Sequence, residues 1–303
     1  MKVTVLYGGP SAEREVSLVS GRAVIDGLES MGHSVFGSDV SPTDLSGLDR
    51  PADVIFPVLH GQFGESGELQ EILEQRGLPF VGSGSAASRL GMDKVATKRA
   101  WESAGLPTPP YKVLTDEDRE SPLLSQPCVV KAISSGSSID VFVCKNPATC
   151  AAEAQNAAQG VLAHHGRALV EKFINGIELT VGLLEEEPLA PIRIVPKSEF
   201  FDFHAKYKAN DTEHRFDLGI PDDVVKRVRD LARRANAVVG ARDLARIDVM
   251  LDDRHNPYLL EINTLPGFTP KSLLPEAARH AGIEFGPLVD RLVRRAHARA
   301  RPK

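Results

Sequence analysis

Two short runs near the C-terminal end of this 303-residue chain hold its densest chemistry: Arg246-Ile247-Asp248-Val249-Met250 and Leu260-Glu261-Ile262-Asn263. Asp248, Glu261 and Asn263 offer hard oxygen donors. Residues two apart on a strand share a face, so Glu261 and Asn263 can point together at a cation while Asp248 joins from a neighbouring strand. Oxygen-only ligation suits Mg²⁺, which commonly bridges phosphates to one or two carboxylates. A solvated strand face with ordinary surface charges is the equal alternative. The following turn, Thr264 to Leu273, contains Gly267, which admits a ligand close to the backbone and can donate its N–H to a developing oxyanion. Taken alone, that stretch reads as a plain turn.

A second run, Lys131-Ala132-Ile133-Ser134-Ser135-Gly136-Ser137-Ser138, is a lysine leaving a strand into a small-residue loop rich in donors. Such a loop can fold over phosphate. It lacks the Gly-Lys-Ser/Thr ending of a P-loop, and Gly82-Ser83-Gly84 lacks the third glycine of the dinucleotide fingerprint. Several single residues carry chemistry only in company. Glu13 opens a helix, where acidic residues are favoured in any case. His60 and Glu65 share a strand-end loop, Lys94 follows Met92-Asp93 on a helix, and Glu171 and Glu178 flank a strand break. Lys206 and Tyr207 sit in a long polar segment.

Elements must position these groups, and the first third alternates short apolar runs with amphipathic stretches, the pattern of a parallel α/β layer. Lys2 to Tyr7, Ser34 to Val40 and Asp53 to Leu59 are expected strands. A helix with Val16, Val19, Ala23 and Leu28 on one face, capped by Ser11, is expected between the first two. Binding residues in such sheets gather beyond the carboxyl ends of strands, which makes the loop His60 to Glu65 a candidate site. A helix from about Asp93 to Ala104 and the prolines 107, 109 and 110 suggest a domain boundary near residue 90. Further strands are expected at Cys128 to Ile133, Ile139 to Cys144, Ala168 to Phe173, Leu179 to Leu184, Ala190 to Val195, Arg246 to Leu251 and Tyr258 to Ile262. One helix is expected before Ala168 and another carries Val224, Val228, Leu231, Ala235 and Val238. Pro196 to Pro221, polar and studded with aromatics, reads as a lid.

Composition sets outer bounds. A formal net charge of −5 gives no general attraction to nucleic acid or anionic lipid. Cys128, Cys144 and Cys150 are odd in number and lack zinc-like spacing, so a reducing cytoplasm fits best. No apolar run approaches the ~20 residues needed to span a bilayer.

In their order, these segments resemble the D-alanine:D-alanine ligase family of the ATP-grasp fold, from about Lys2 to Leu292. Eight motifs carry the likeness: Gly8-Gly9-x-Ser11-Ala12-Glu13-x-Glu15-Val16-Ser17, Leu59-His60-Gly61, Gly82-Ser83-Gly84, Met92-Asp93-Lys94, Gly136-Ser137-Ser138, Ala205-Lys206-Tyr207, Arg246-Ile247-Asp248-Val249 and Glu261-x-Asn263-Thr264-x-Pro266-Gly267. The resemblance implies a mixed α/β architecture. An N-terminal substrate-binding α/β domain at 1–90 would precede a central ATP-grasp subdomain at 91–178 and a catalytic domain at 179–303, with ATP between two sheets.

It also implies residue roles. Lys94, Lys131 and Lys206 would hold ATP phosphates; Glu171, Phe173 and Ile174 would line the adenine pocket, with Glu178 on the ribose. Asp248, Glu261 and Asn263 would bind two Mg²⁺, with Mn²⁺ an alternative. Glu13, aided by His60, would anchor the amino group of the first D-alanine, and Ser272 with the Leu273 N–H would take the carboxylate of the second. Arg246 and the Gly267 N–H would stabilise the oxyanion, while Ser137 and Tyr207 would close the lid through a network with Glu13. The expected product is D-alanyl-D-alanine, formed through an acyl phosphate for peptidoglycan synthesis, by a cytoplasmic homodimer with small-molecule partners and neither nucleic acid nor membrane.

The chain departs from the family pattern at Ser66, where aspartate is usual, at Ala132 for proline, at Asp140 for glycine and at Lys271 for histidine. The lid ends Asp211-Thr212-Glu213-His214-Arg215-Phe216-Asp217 in place of an apolar stretch. Asp140 adds negative charge beside a phosphate-binding loop. A ligase with another second substrate, such as D-serine or D-lactate, and a nucleotide-binding protein without turnover are the alternatives.

Overall fold

The computed structural model describes residues 1–136, 140–196 and 212–300. Ser137, Lys206 and Tyr207, most of the expected lid and the start of the expected strand at Ile139 lie outside the described residues.

Alternating apolar residues with β-branched members build β1 (Lys2–Tyr7), β2 (Ser34–Asp39) and β3 (Val54–Pro57), which form a parallel sheet in the order β2-β1-β3. Helix α1 (Arg14–Ser30) makes the crossover between β1 and β2. Gly8 and Gly9 take the turn into it with φ of +79° and +80°, a region that costs glycine little. The turn is tied down because the Gly8 N–H donates to Ser17 Oγ at 2.9 Å and Ser17 Oγ donates to the Val58 carbonyl at 2.7 Å. This fixes the start of α1 against the end of β3.

Two expectations for α1 fail. Glu13, not Ser11, occupies the N-cap position, and the Ser11 carbonyl accepts from Arg14 one turn outside the helix. The buried face is Ser17, Ser20, Gly21, Val24, Gly27 and Leu28, whereas Val16 and Val19 are exposed. Packing explains the change: a Cβ on Gly21 would lie 2.7 Å from Tyr7, and one on Gly27 would lie 3.1 Å from Val289. Close approach selects small residues over bulky apolar ones on that face.

Helices α2 (Glu68–Gln75), α3 (Ser85–Met92) and α4 (Lys94–Ser103) follow. Asp93 caps α4, accepting from the Ala96 N–H at 2.8 Å. Asp93→Ala is expected to cost about 1 kcal/mol, the usual worth of a cap, read as a lowered denaturant midpoint with unchanged slope. An antiparallel sheet then runs β4-β7-β5-β6, from β4 (Tyr111–Thr115), β5 (Cys128–Lys131), β6 (Val141–Cys144) and β7 (Arg167–Lys172), covered by α5 (Cys150–His165).

The largest sheet is antiparallel, ordered β11-β10-β8-β12-β13, with the two-residue β9 (Glu187–Pro188) on β8. Its members are β8 (Gly176–Leu184), β10 (Ile192–Pro196), β11 (Thr212–Arg215), β12 (Leu244–Asp252) and β13 (Pro257–Asn263). Strand β11 corrects the reading of 196–221 as one loop, since Thr212 to Arg215 pair with Arg193 to Pro196. Helix α6 (Asp222–Val239) lays Val228, Leu231 and Ala235 on this sheet, and Trp101 fills the same core while its Nε1 donates to the Ala235 carbonyl at 3.1 Å.

Two further helices, α7 (Leu273–His280) and α8 (Phe285–Ala300), close the chain. Leu288, Leu292 and Val293 of α8 join Val3, Val5 and Phe56 of the first sheet with Leu184 and Leu244 of the last in one core. That shared core binds the parallel layer to the antiparallel one. Among the described residues no helix is long and apolar enough to cross a membrane.

Candidate active site

A cleft of about 510 Å³ opens between the first parallel layer, the start of α4 and the face of the largest sheet. Antiparallel register builds its floor: Asp248 of β12 stands opposite Glu261 of β13 on one side and Thr180 of β8 on the other, and Arg246 stands opposite Asn263. All five residues line the cleft. The chain therefore gathers two carboxylates, an amide oxygen and a guanidinium on one sheet face because residues two apart along a strand point the same way.

These groups already engage one another. Arg246 donates from Nε and from an Nη to the two Asp248 oxygens, each at 2.9 Å, and Thr180 Oγ1 donates to Asp248 Oδ1 at 2.6 Å. Three of the roughly four acceptor positions of that carboxylate are thus in use. Lys94 Nζ lies 3.6 Å from Glu261 Oε2 and donates to the Ser135 carbonyl at 2.6 Å. Asn263 Oδ1 accepts from the Leu265 N–H at 2.8 Å, which sets the turn toward Gly267 and keeps a second lone pair for another partner. Oxygen donors on facing strands, with lysine and arginine standing beside them, fit a divalent cation and its phosphates. Among the described residues no group of three or more His, Cys, Asp and Glu side chains converges as a metal centre.

At the other end of the cleft three segments converge on Glu13. A Cβ at Gly61 would lie 3.3 Å from Glu13 Oε2, and one at Gly136 would lie 3.2 Å away. A Cβ at either position would crowd that carboxylate, and Gly61 also holds a left-handed φ of +75°. The enclosure raises the Glu13 pKa from 4.5 to about 7, chiefly through desolvation and then through the nearby Glu65 charge, with His60 pulling the other way. His60 is buried and its Nδ1 lies 3.0 Å from Glu65 Oε1. Burial opposes its charged form, but the Glu65 hydrogen bond with the Glu65 and Glu13 charges outweighs this and raises its pKa. Glu13, Glu65 and His60 therefore form one coupled acidic and basic cluster on the cleft wall.

Gly267, Ser272 and Leu273 also line the cleft, as do Lys271 and His214. Ser272 precedes α7, accepts from the Thr269 N–H at 3.0 Å and sits 3.0 Å from Thr269 Oγ1. Leu273 begins the first helical turn, whose N–H groups have no intrahelical acceptors. Together these make a small anion-receptive corner.

Of the residues expected from the sequence, Glu13, His60, Lys94, Glu178, Arg246, Asp248, Glu261, Asn263, Gly267, Ser272 and Leu273 line the cleft. Lys131 and Glu171 do not; they are buried behind it and paired at 2.5 Å. Phe173 and Ile174 lie half-buried in the link from β7 to β8. Asp140 has a partner in α5: its Oδ2 lies 2.7 Å from His165 Nε2 at the end of that helix, and its carbonyl accepts from the Ala132 N–H at 3.0 Å. The residue keeps the left-handed φ of +53° that a glycine would take freely.

Sequence reasoning missed two groups. Thr180 carries no local signal, because only strand register brings it to Asp248. Lys98 had one available: it follows Lys94 by four residues and so shares its helix face.

Comparison with known proteins agrees with this geometry. Residues 38–83 match the family model "D-ala D-ala ligase N-terminus" and residues 100–294 match "D-ala D-ala ligase C-terminus". A D-alanine–D-alanine ligase of Gloeobacter violaceus is 41% identical over 98% of this chain and 99% of its own length. The Ectopseudomonas mendocina enzyme of the same name is 43% identical over 95% of this chain and 92% of its own. The crystal structure of the Bacillus anthracis D-alanine–D-alanine ligase complexed with ATP superposes with a TM-score of 0.84 at 28% identity, covering 99% of this chain and 98% of that one. With both family models matched in order and near-full-length relatives above 40% identity, the chain belongs to the D-alanine–D-alanine ligase family.

Proposed function

We propose that the chain uses ATP to join two D-alanine molecules into D-alanyl-D-alanine, as a cytoplasmic enzyme of peptidoglycan precursor synthesis. The single observation that carries the reading is one cleft lined together by Glu13, by the Arg246, Asp248, Glu261 and Asn263 floor and by the Ser272–Leu273 corner. Its three stations suit an amino group, a triphosphate and a carboxylate.

Lys94, Lys131 and Lys206 bind phosphate oxygens, and Glu171, Phe173, Ile174 and Glu178 receive the nucleoside. Asp248, Glu261 and Asn263 are the residues that would hold Mg²⁺, or Mn²⁺ in its place; when bound, the cations neutralise the triphosphate and so make its γ-phosphorus accessible to an anion. A cation there would draw on the Asp248 carboxylate that Arg246 chelates, so the same guanidinium would be available to the reacting carbonyl.

Glu13 pairs with the ammonium of the first D-alanine and, with His60 and Glu65 behind it, aims that substrate's carboxylate at the γ-phosphate. Bond formation there expels ADP and leaves an acyl phosphate. The unprotonated amine of the second D-alanine, held by its carboxylate at Ser272 and the Leu273 N–H, attacks the acyl carbon. Arg246 and the Gly267 N–H carry the negative charge that develops on the carbonyl oxygen until phosphate departs. Ser137 and Tyr207 join Glu13 in shutting water out, since an open acyl phosphate hydrolyses. Residues 1–90 supply the first-substrate station, 91–178 the nucleotide cover and 179–303 the catalytic floor, and the enzyme pairs as a homodimer through its N-terminal region.

Second-substrate range is the test of the finer claim. With D-alanine as first substrate, the dipeptide product is expected to dominate over D-alanyl-D-serine and D-alanyl-D-lactate at equal acceptor concentrations. A dominant ester product would contradict it.

A further inference from the structure

Lys98 lies one turn after Lys94 on α4, is fully buried and has none of the roles described above. Its Nζ pairs with Glu171 Oε1 and also donates to Thr108 Oγ1 at 2.5 Å, and Thr108 donates in turn to the Leu259 carbonyl of β13 at 3.0 Å. On the far side of the same carboxylate, Lys131 Nζ stands 2.5 Å from Glu171 Oε2. Two ammonium groups thus share one carboxylate, with Lys98, Glu171 and Lys131 exposed by only 0%, 1% and 7%. Buried charges persist when they are balanced, and removal of one partner is costly because the other is left uncompensated.

The two lysines are not equivalent. Lys98 is fastened twice, to Glu171 and through Thr108 to β13, and does not line the cleft. Lys131 ends β5, directly before the loop whose Ser135 and Gly136 line the cleft, and among the described residues its ion pair is with Glu171 alone. Burial lowers the Lys98 pKa, against the pull of Glu171. For Lys131 burial acts in the same sense, but Glu171 and Glu261 outweigh it and the pKa rises. Lys131 is therefore firmly cationic and can serve a second anion.

We propose that Lys98 is a positioning residue for the nucleotide: it stays as the permanent counter-ion of Glu171, so that Lys131 can turn to a phosphate oxygen without stranding a buried carboxylate. The inference rests on the reading of the cleft as a nucleotide site. Without Lys98, Glu171 would keep Lys131 for itself and the phosphate would lose its lysine.

The test is calorimetric titration of ATP with Mg²⁺ into the full-length chain. Lys98→Met is expected to weaken ATP binding by about ten- to a hundredfold, the worth of one charge-assisted hydrogen bond, with little change in the KM for D-alanine at saturating ATP. Because an amide needs no counter-ion and releases Lys131, adding Glu171→Gln to that variant is expected to bring its affinity to that of Glu171→Gln alone, so that removing Lys98 costs nothing once the carboxylate is gone. Structural damage would still cost affinity there. Should Lys98→Met fail to fold, Glu171→Gln and Lys98→Met/Glu171→Gln are compared and are expected to bind ATP equally. Parental affinity in Lys98→Met, or a further loss when Lys98 is removed from Glu171→Gln, would each overturn the proposal. A parent chain that binds no ATP would overturn the nucleotide reading together with it.

Discussion

Arg246→Ala is expected to lower kcat by about a hundred- to a thousandfold while ATP affinity stays near that of the parent. The guanidinium sits on the cleft floor, chelated by Asp248 at 2.9 Å through two hydrogen bonds, and stands opposite Asn263 in the neighbouring strand. Its proposed task arises only when charge develops on the carbonyl oxygen, so its loss should fall on kcat and on kcat/KM alike. ATP binding depends on other side chains and should survive. Removing the arginine also leaves Asp248 with Thr180 as its remaining hydrogen-bond donor, which should favour the divalent cation rather than weaken it. Rapid-quench and steady-state assays, combined with ATP titration, separate these effects. Near-normal dipeptide synthesis by the variant would remove Arg246 from the proposed role.

Glu13→Gln should cut kcat/KM for D-alanine by up to about a hundredfold, because an amide offers no charge to the substrate ammonium. The same substitution should change stability in a pH-dependent way. Unfolded, the carboxyl titrates near 4.5; folded, desolvation and the Glu65 charge bring it to about 7. Between these values the folded chain keeps a proton that the unfolded chain has released. The stability associated with that proton is full below pH 4.5, is lost as pH rises through 7, and stays lost above. Glutamine never ionises, so the variant should be more stable than the parent at pH 8 and close to it at pH 4. Denaturant unfolding at both values reads the difference. Variants equal in stability at pH 8 would contradict the raised pKa, independently of the activity result. A substrate ammonium favours the charged carboxylate, so D-alanine binding near neutral pH should also release protons from this site.

Much of this site is legible in the amino-acid sequence, because its chemistry is written in short runs. Strand periodicity alone places Glu261 and Asn263 on one face with Asp248 within reach, and β12 with β13 then set them in register. Glycine carries more information than apolar pattern: Gly61 and Gly136 mark where backbone must close on Glu13, whereas the apolar pattern of α1 misassigns its buried face. Val16 and Val19 look like core, yet Gly21 and Gly27 pack there because neighbouring elements leave no room for larger side chains. Tertiary approach overrides hydrophobicity at those positions.

The donation from Thr180 to Asp248 and the burial of Lys131 behind the cleft are not legible, since each depends on which strands are neighbours. Strand β11 escapes for a related reason. Thr212-Glu213-His214-Arg215 is a polar edge strand, held by its ladder to β10 and by His214 Nδ1 lying 2.7 Å from Glu276 of α7, and it lacks the apolar alternation by which strands announce themselves. Asp140 is a case where a departure from the family pattern looks chemically significant and the structure gives it a local partner, His165.

Phosphate release from ATP and Mg²⁺ in the presence of D-alanine, run beside L-alanine, D-serine and D-lactate with products identified by mass, tests the central claim most directly. Release that requires D-alanine, matched mole for mole by D-alanyl-D-alanine and ADP, is the predicted result. Measurable ATP binding with no phosphate release and no dipeptide from D-alanine would contradict it.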